Sequence, residues 1–331
     1  MNTKIVYVLV SSQQDIYLEQ AFISMRSLRY HMPGAHTVLL TDKLTADSLT
    51  GTREVILKYV DELVVEDFDQ KKLNAHQRSR QLKTTVRNRI KGDYLFIDCD
   101  TIITRPLDDI DNISASIAAC RDIHSDFINN PYRDMCVNHG HLLEWPIDNE
   151  TEYFNSGVIY VKDNATTHDF YHRWNENLNR GYDKEVYVDQ PSFAKTNYEM
   201  GHIIERLPDV WNCQLKHGIR YLKDAMIVHY LCTTPSVYQN KQLFLLNEKD
   251  VLLKLKKTGE ISEEIEEVIK DPFKGLAEVT HCFAGEDIYF FQADSYKYLR
   301  ARYHRDKVSF QDRWLLFLKS LGHYRNRLLG K

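Results

Sequence analysis

Asp98 and Asp100 stand one residue apart at the end of the apolar run Tyr94-Leu95-Phe96-Ile97. Four such residues favour a buried strand, and two carboxylates emerging from it offer hard oxygen ligands suited to Mg²⁺ or Mn²⁺. Side chains on a strand alternate faces, so the pair can share a ligand only where the chain turns. It turns at the carboxyl edge of a parallel sheet, which is where α/β proteins collect ligands. A cation held there would neutralise a diphosphate. Taken alone, Asp-x-Asp is equally compatible with a strand-end turn carrying two solvated aspartates. Arg80, Lys83 and Arg87 recur at i, i+3 and i+7 as a basic helical stripe, beside an apolar stripe of Leu82, Val86 and Ile90. The apolar stripe packs; the basic one either faces phosphates or is a solvated face. His139-Gly140-His141 would put two histidines on one strand face with no third ligand nearby, which is poor evidence for a metal.

These groups need a scaffold. The run Ile5 to Val10 reads as a strand, followed by the polar loop Ser11 to Asp15. A helix from Tyr17 to His31 is stopped by Pro33-Gly34, and a strand from Thr37 to Leu40 ends at Thr41-Asp42. Strand, helix and strand at this spacing make a βαβ unit and hence a parallel sheet. Further strands are expected at 62–65, 94–97, 116–119, 157–161 and 225–229, with a helix at 79–90. Near residue 250 the pattern changes to a charged helix from Val251 to Ile269, a break at Pro272, and segments rich in Tyr, Phe and Arg. The expected organisation is a catalytic domain over 1–250 and a helical C-terminal region over 251–331.

A phosphohydrolase of the haloacid dehalogenase type also carries Asp-x-Asp after a strand, but wants Thr or Val where this chain has Ile102. A sugar nucleotidyltransferase would open with a Gly-rich, basic loop, and Ser11-Ser12-Gln13-Gln14 has no glycine. The segment around Asp98-Cys99-Asp100 resembles the DxD motif of GT-A fold glycosyltransferases, in a segment order similar to family 8. Phe154-Asn155-Ser156-Gly157-Val158, Asp189-Gln190-Pro191, Leu207-Pro208 through Trp211-Asn212, and Ile227-Val228-His229-Tyr230 resemble further motifs of that family, so the likeness spans about residues 4–235. It implies an α/β GT-A fold, a Rossmann-like, mostly parallel mixed sheet with flanking helices.

The resemblance implies roles as well. Asp98, Asp100 and His229 would bind Mn²⁺ or Mg²⁺. Asn155, Asp189 and Gln190 would line the sugar pocket, with Asp189 on donor hydroxyls and Gln190 beneath the anomeric carbon. Val8, Ser11, Asp15 and Tyr17 would hold the nucleoside. The donor would be a nucleotide-diphosphate sugar, UDP-glucose or UDP-galactose first, and transfer to a saccharide or glycolipid would proceed with retention. The polar, aromatic stretch Arg121 to Trp145 (His124, Tyr132, His139, Trp145) would be the acceptor-side loop. Where the family has Gly and Lys-Pro-Trp after its histidine, this chain has Tyr230 to Ser236 with neither glycine nor lysine. Arg80 and Lys83 are the candidate replacements at the diphosphate. A degenerate GT-A scaffold that binds saccharide or a partner without turnover is the competing reading.

Composition bounds the setting. Six scattered cysteines with no Cys-x-x-Cys pair read as reduced thiols. The N-terminal apolar run is too short for a signal peptide, and no stretch reaches the roughly 18 to 20 apolar residues of a span. A cytoplasmic enzyme is expected, with no nucleic-acid partner. The net charge of −4 divides unevenly, with residues 297–331 carrying ten Lys/Arg against two Asp. In the run 310–329, Trp314, Phe317, Leu318, Leu321, Tyr324 and Leu328 recur on one helical face. A basic helix of this kind can lie in an anionic membrane surface or pack on its own domain, and a peripheral dock at the inner face of the membrane is expected.

Overall fold

In the computed structural model the described residues are 1–69, 72–148, 150–231 and 244–276, with isolated positions 293, 295, 296, 314, 317 and 318. The elements run β1 (Lys4–Leu9), α1 (Tyr17–His31), β2 (Thr37–Asp42), α2 (Lys43–Asp47), β3 (Glu62–Glu66), α3 (Ala75–Thr84), β4 (Tyr94–Ile97), β5 (Thr101–Ile103) and β6 (Ile117–Arg121). They continue with α4 (Arg133–Leu142), β7 (Phe154–Val161), α5 (Ala165–Tyr182), α6 (Asp189–Glu199), β8 (Ile204–Arg206), β9 (Cys213–Gln214), β10 (Ile227–His229), α7 (Lys249–Thr258) and α8 (Glu263–Lys270).

The main sheet has the order β3-β2-β1-β4-β7-β6-β8. All its neighbours are parallel except β7, which runs against both β4 and β6. Helices cover both faces, so the central strands are apolar throughout instead of alternating. Ile5, Tyr7 and Leu9 pack on α1 through Leu18, Phe22 and Met25, in a core that also takes in Leu252, Leu255, Ile265 and Val268 of α7 and α8. Val6, Val8, Leu40 and Phe96 face the other way, onto Leu82 and Val86 and onto Phe170, Tyr171 and Trp174 of α5. This is the mixed, mostly parallel GT-A sheet. A second, three-stranded sheet of order β5-β10-β9 was not anticipated, because its strands have only two or three residues each. Residues Met1–His281 form one compact unit, to which α7 and α8 belong, and Cys282–Lys331 form another.

Three local expectations are corrected. The helix expected at 79–90 is α3, begun earlier by an Asn74–Gln77 capping box and ended at Thr84, followed by a tight turn at Val86–Asn88. Thr84 and Thr85 turn their hydroxyls back onto the carbonyls of Arg80 and Gln81, a bond that competes with helix continuation. Arg87 therefore leaves the basic stripe; it is buried, donates to Gly92 O at 2.9 Å and pairs with Asp163 at 3.3 Å. The single helix expected from Val251 to Ile269 is two. Gly259 adopts the left-handed conformation (φ 67°) and its N–H closes on Leu255 O at 2.7 Å, ending α7. His139-Gly140-His141 lies on a helix, α4, instead of a strand or loop. There a Cβ on Gly140 would sit 2.9 Å from Ile147 Cγ2, so the glycine allows the returning chain to pack closely.

Most of the amphipathic run 310–329 lies outside the described residues, as does 232–236. Trp314, Phe317 and Leu318 are described; they are helical and exposed, and the two rings stack at 5.7 Å. No helix among the described residues is long and apolar enough to cross a membrane. Cys99, Cys120, Cys136 and Cys213 are free thiols.

Candidate active site

Strand direction gathers the site at one edge. The carboxyl ends of β1, β2, β4 and β6 lie there, and β7, being antiparallel, brings its first residues to the same place. Asp98 follows β4, Asp122 follows β6, and Asn155 and Ser156 open β7. Asp98 N–H donates to Gly157 O at 2.7 Å, which carries the β4–β7 pairing to the last residue before the turn. Thr101 Oγ1 then donates to Asp98 O at 2.9 Å and tightens the reversal into β5.

The small sheet brings in the third member of the cluster. β10 pairs antiparallel with β5, placing His229 opposite Thr101, and Tyr230 N–H donates to Asp100 O at 3.1 Å. One donor atom from each of Asp98, Asp100 and His229 lies within 4.8 Å of the others. His229 is buried, and its Nε2 is 3.2 Å from Asp100 Oδ1. Burial would lower the imidazole pKa, but the Asp100 carboxylate overrides it and the pKa is raised. The Asp98 carboxyl is raised by burial, opposed by the Lys83 ammonium and reinforced by Asp100. Two carboxylates and one imidazole at this spacing are a donor set that invites a divalent cation.

Beside it lies a charged cluster. Lys83 Nζ is 3.3 Å from Asp98 Oδ1, 2.9 Å from Asp189 Oδ2 and 3.3 Å from Ser156 Oγ. Arg80 Nε reaches Asp189 Oδ1 at 3.0 Å, and Ser156 Oγ donates to Asp189 Oδ2 at 2.9 Å. Burial pushes the Asp189 carboxyl up, yet Arg80 and Lys83 together pull it well below the usual carboxylate range. Asp189 is the first residue of α6, so Arg80 and Lys83 of α3 are tied to the start of that helix.

Asn155 is held by its neighbours. Its Oδ1 accepts from Gly157 N–H at 3.0 Å and Asn212 Nδ2 at 2.9 Å; its Nδ2 donates to Asp122 Oδ1 at 3.2 Å and faces Gln190 Oε1 at 3.5 Å. Asp122, which the sequence reading passed over, is buried and takes a further bond from Asn130 Nδ2 at 3.1 Å. Burial raises its carboxyl despite these amide donors. The signal was available: Asp122 stands just past an apolar strand, as Asp98 does. Ser156 and Asn212 were likewise seen only as parts of motifs.

The loop after β1 is built around Asp15. Its carboxylate accepts from Ser11 Oγ (2.7 Å), Ser12 N–H (2.7 Å) and Tyr17 N–H (3.1 Å). Buried Arg53, also unforeseen, donates to Ser12 O at 3.0 Å and Ser11 Oγ at 3.3 Å. Val8 O takes the Cys99 thiol at 3.4 Å, linking this loop to the Asp-Cys-Asp turn, and Tyr17 is half exposed at the helix start.

Residues 65–250, more than half of the chain, match the profile of the nucleotide-diphospho-sugar transferase family. The chain belongs to that family. It is a GT-A glycosyltransferase resembling family 8. Among solved structures, galactosyltransferase LgtC in complex with donor and acceptor sugar analogs is similar in fold, with a TM-score of 0.53, 12% identity, and coverage of 80% of this chain and 99% of that one. The glycosyltransferase GlyE of Streptococcus pneumoniae TIGR4 is similar with a TM-score of 0.51 and 14% identity over 84% of this chain and 66% of that one. No curated protein sequence matches the chain.

Proposed function

We propose that this glycosyltransferase moves a hexose from a UDP-sugar to a saccharide or glycolipid acceptor, in a cation-dependent reaction with retention of configuration. The observation that carries the cation dependence is the meeting of Asp98, Asp100 and His229 within 4.8 Å. His229 Nε2 and Asp100 Oδ1 lie 3.2 Å apart, a separation that two adjacent ligands of one ion would have. The mixed oxygen and nitrogen set suits Mn²⁺ slightly better than Mg²⁺.

A divalent ion held there would supply Lewis acidity toward the leaving diphosphate. Lys83 and Arg80 flank the same edge, paired with Asp189, and would meet the phosphate oxygens. Asp189 and Gln190, at the start of α6, would take the sugar, positioning the anomeric carbon for attack. Asp122, with its raised carboxyl, joins this group through Asn155. Ser11, Asp15 and Tyr17, with the backbone near Val8, would hold the nucleoside. Retention rests on the resemblance to family 8.

The exposed Trp314, Phe317 and Leu318 support docking of the basic C-terminal segment on an anionic surface, which would suit a lipid-linked acceptor. On this reading the enzyme works at the cytoplasmic face of a membrane.

The test is donor hydrolysis across a panel of UDP-, GDP- and CMP-sugars with and without Mn²⁺. Cation-dependent hydrolysis of a UDP-hexose is expected. Hydrolysis that is equal in excess chelator would remove the metal from the reaction, and preference for another nucleotide would correct the donor.

A further inference from the structure

We propose that Asn212 is a positioning residue which holds the ring proton of His229 on Nδ1, and that the backbone N–H of Gly157 sets the direction of the relay. The inference rests on the cation reading above and concerns this chain's own hydrogen bonds. A backbone N–H can only donate, so the atom of Asn155 that faces Gly157 N–H at 3.0 Å must be its carbonyl oxygen. That same oxygen lies 2.9 Å from the Asn212 side chain, which must therefore present its NH₂. The other end of the Asn212 amide, its oxygen, then faces His229 Nδ1 at 3.1 Å. Only a protonated Nδ1 can satisfy it. A neutral His229 is thereby left with its lone pair on Nε2, pointing at Asp100 Oδ1 3.2 Å away.

All three residues of the relay are buried, so no exchange with bulk water relaxes the constraint. The opposite tautomer would require both amides to flip and would set the Gly157 N–H against an NH₂ group. The ring is held in place as well as in tautomer: a Cβ at position 157 would lie 2.4 Å from His229 Cε1. The far end of Asn155 holds Asp122 and faces Gln190, so the device that aims the cation ligand is anchored in the sugar side of the cleft. Partners that fix the tautomer of a ligating histidine usually change metal affinity about 10- to 100-fold when removed.

The experiment measures Mn²⁺ binding to the full chain, with the metal alone, from the electron paramagnetic resonance signal of the free ion. Wild type is compared with Asn212→Leu and His229→Ala. Asn212→Leu should weaken binding about 10- to 100-fold. Nitrogen NMR of ¹⁵N-histidine-labelled, metal-free wild type, made alkaline enough for neutral imidazoles, should show His229 protonated at Nδ1 and bare at Nε2. Its signals are identified by their loss in His229→Ala. Wild-type binding with Asn212→Leu unchanged overturns the relay alone. If Asn212→Leu does not fold, the wild-type spectrum decides, and a proton on Nε2 overturns the proposal. A wild type that binds no Mn²⁺ removes the cation reading itself, and the relay with it.

Discussion

Lys83 Nζ lies 2.9 Å from Asp189 Oδ2 with both side chains buried, and the same ammonium reaches Asp98 at 3.3 Å. One cation on α3 thus joins the carboxylate that opens α6 to the one that ends β4. Removing a single partner from a buried pair leaves an uncompensated charge. Because Arg80 remains on Asp189, Lys83→Met should cost about 3 kcal/mol, the lower part of the range for such losses. Urea unfolding monitored by tryptophan fluorescence measures it. A variant as stable as the parent would mean that Arg80 alone neutralises the cluster.

Asp100 sits at a turn and contributes little to packing. Asp100→Ala should therefore keep the fold but lose cation-dependent binding of UDP, measured by calorimetry with Mn²⁺ and with chelator. Full retention of cation-dependent binding would remove Asp100 from the ligand set.

Asp189→Asn should lower turnover far more than affinity for UDP, because the side chain is assigned to the sugar. It should also change the response to acid. The folded-state pKa of Asp189 is lowered, against burial, by Arg80 and Lys83, so its stabilising contribution is complete above the unfolded value of about 3.9 and is lost as pH falls below it. Urea midpoints taken from pH 6 down to 3 should fall less steeply for Asp189→Asn than for wild type. Parallel curves would place the acid sensitivity elsewhere.

Gly157→Ala adds a Cβ that would meet His229 Cε1 at 2.4 Å and Nδ1 at 2.8 Å. The imidazole is buried and cannot swing into solvent, so the strain should appear as a loss of about 1–3 kcal/mol together with weaker Mn²⁺ binding. Thermal melts and Mn²⁺ titration check both. Wild-type behaviour in the two would mean that β7 and β10 separate easily.

The C-terminal segment should confer salt-sensitive co-sedimentation with anionic vesicles, lost in a chain ending near Ser309. If both chains stay in the supernatant, the membrane dock is absent. If truncation unfolds the protein, the aromatic face is structural.

The strands of the main sheet other than β8 were legible because each contains an apolar run, whereas β8 is only Ile-Glu-Arg and was not expected; the Asp98-Cys99-Asp100 turn was legible because it ends such a run. His229 could be brought to the cation only through resemblance, since its approach depends on register between β5 and β10, strands of three residues each. Short strands carry too little periodicity to be heard in a sequence. The partners of the Asn155 amide, Gly157, Asn212, Asp122 and Gln190, could not be read in advance; hydrogen bonds set by tertiary packing leave no mark in local sequence. The helix boundaries at Thr84 and Gly259 were missed for opposite reasons. Threonine stops a helix only when its hydroxyl turns back on the chain, and the glycine was outweighed by the amphipathic pattern around it.

The proposed cation ligands come from two sheets. Asp98 closes a strand of the large one, while His229 belongs to the small one and Asp100 leads into it. None of the early βα units holds a complete site, however well it has folded. A growing chain acquires the Asp-Cys-Asp turn long before His229 is synthesised, so capture of a cation by all three would belong to the end of assembly. An ion bound to the finished site would then act as a rivet between the two sheets, raising the melting temperature with its concentration.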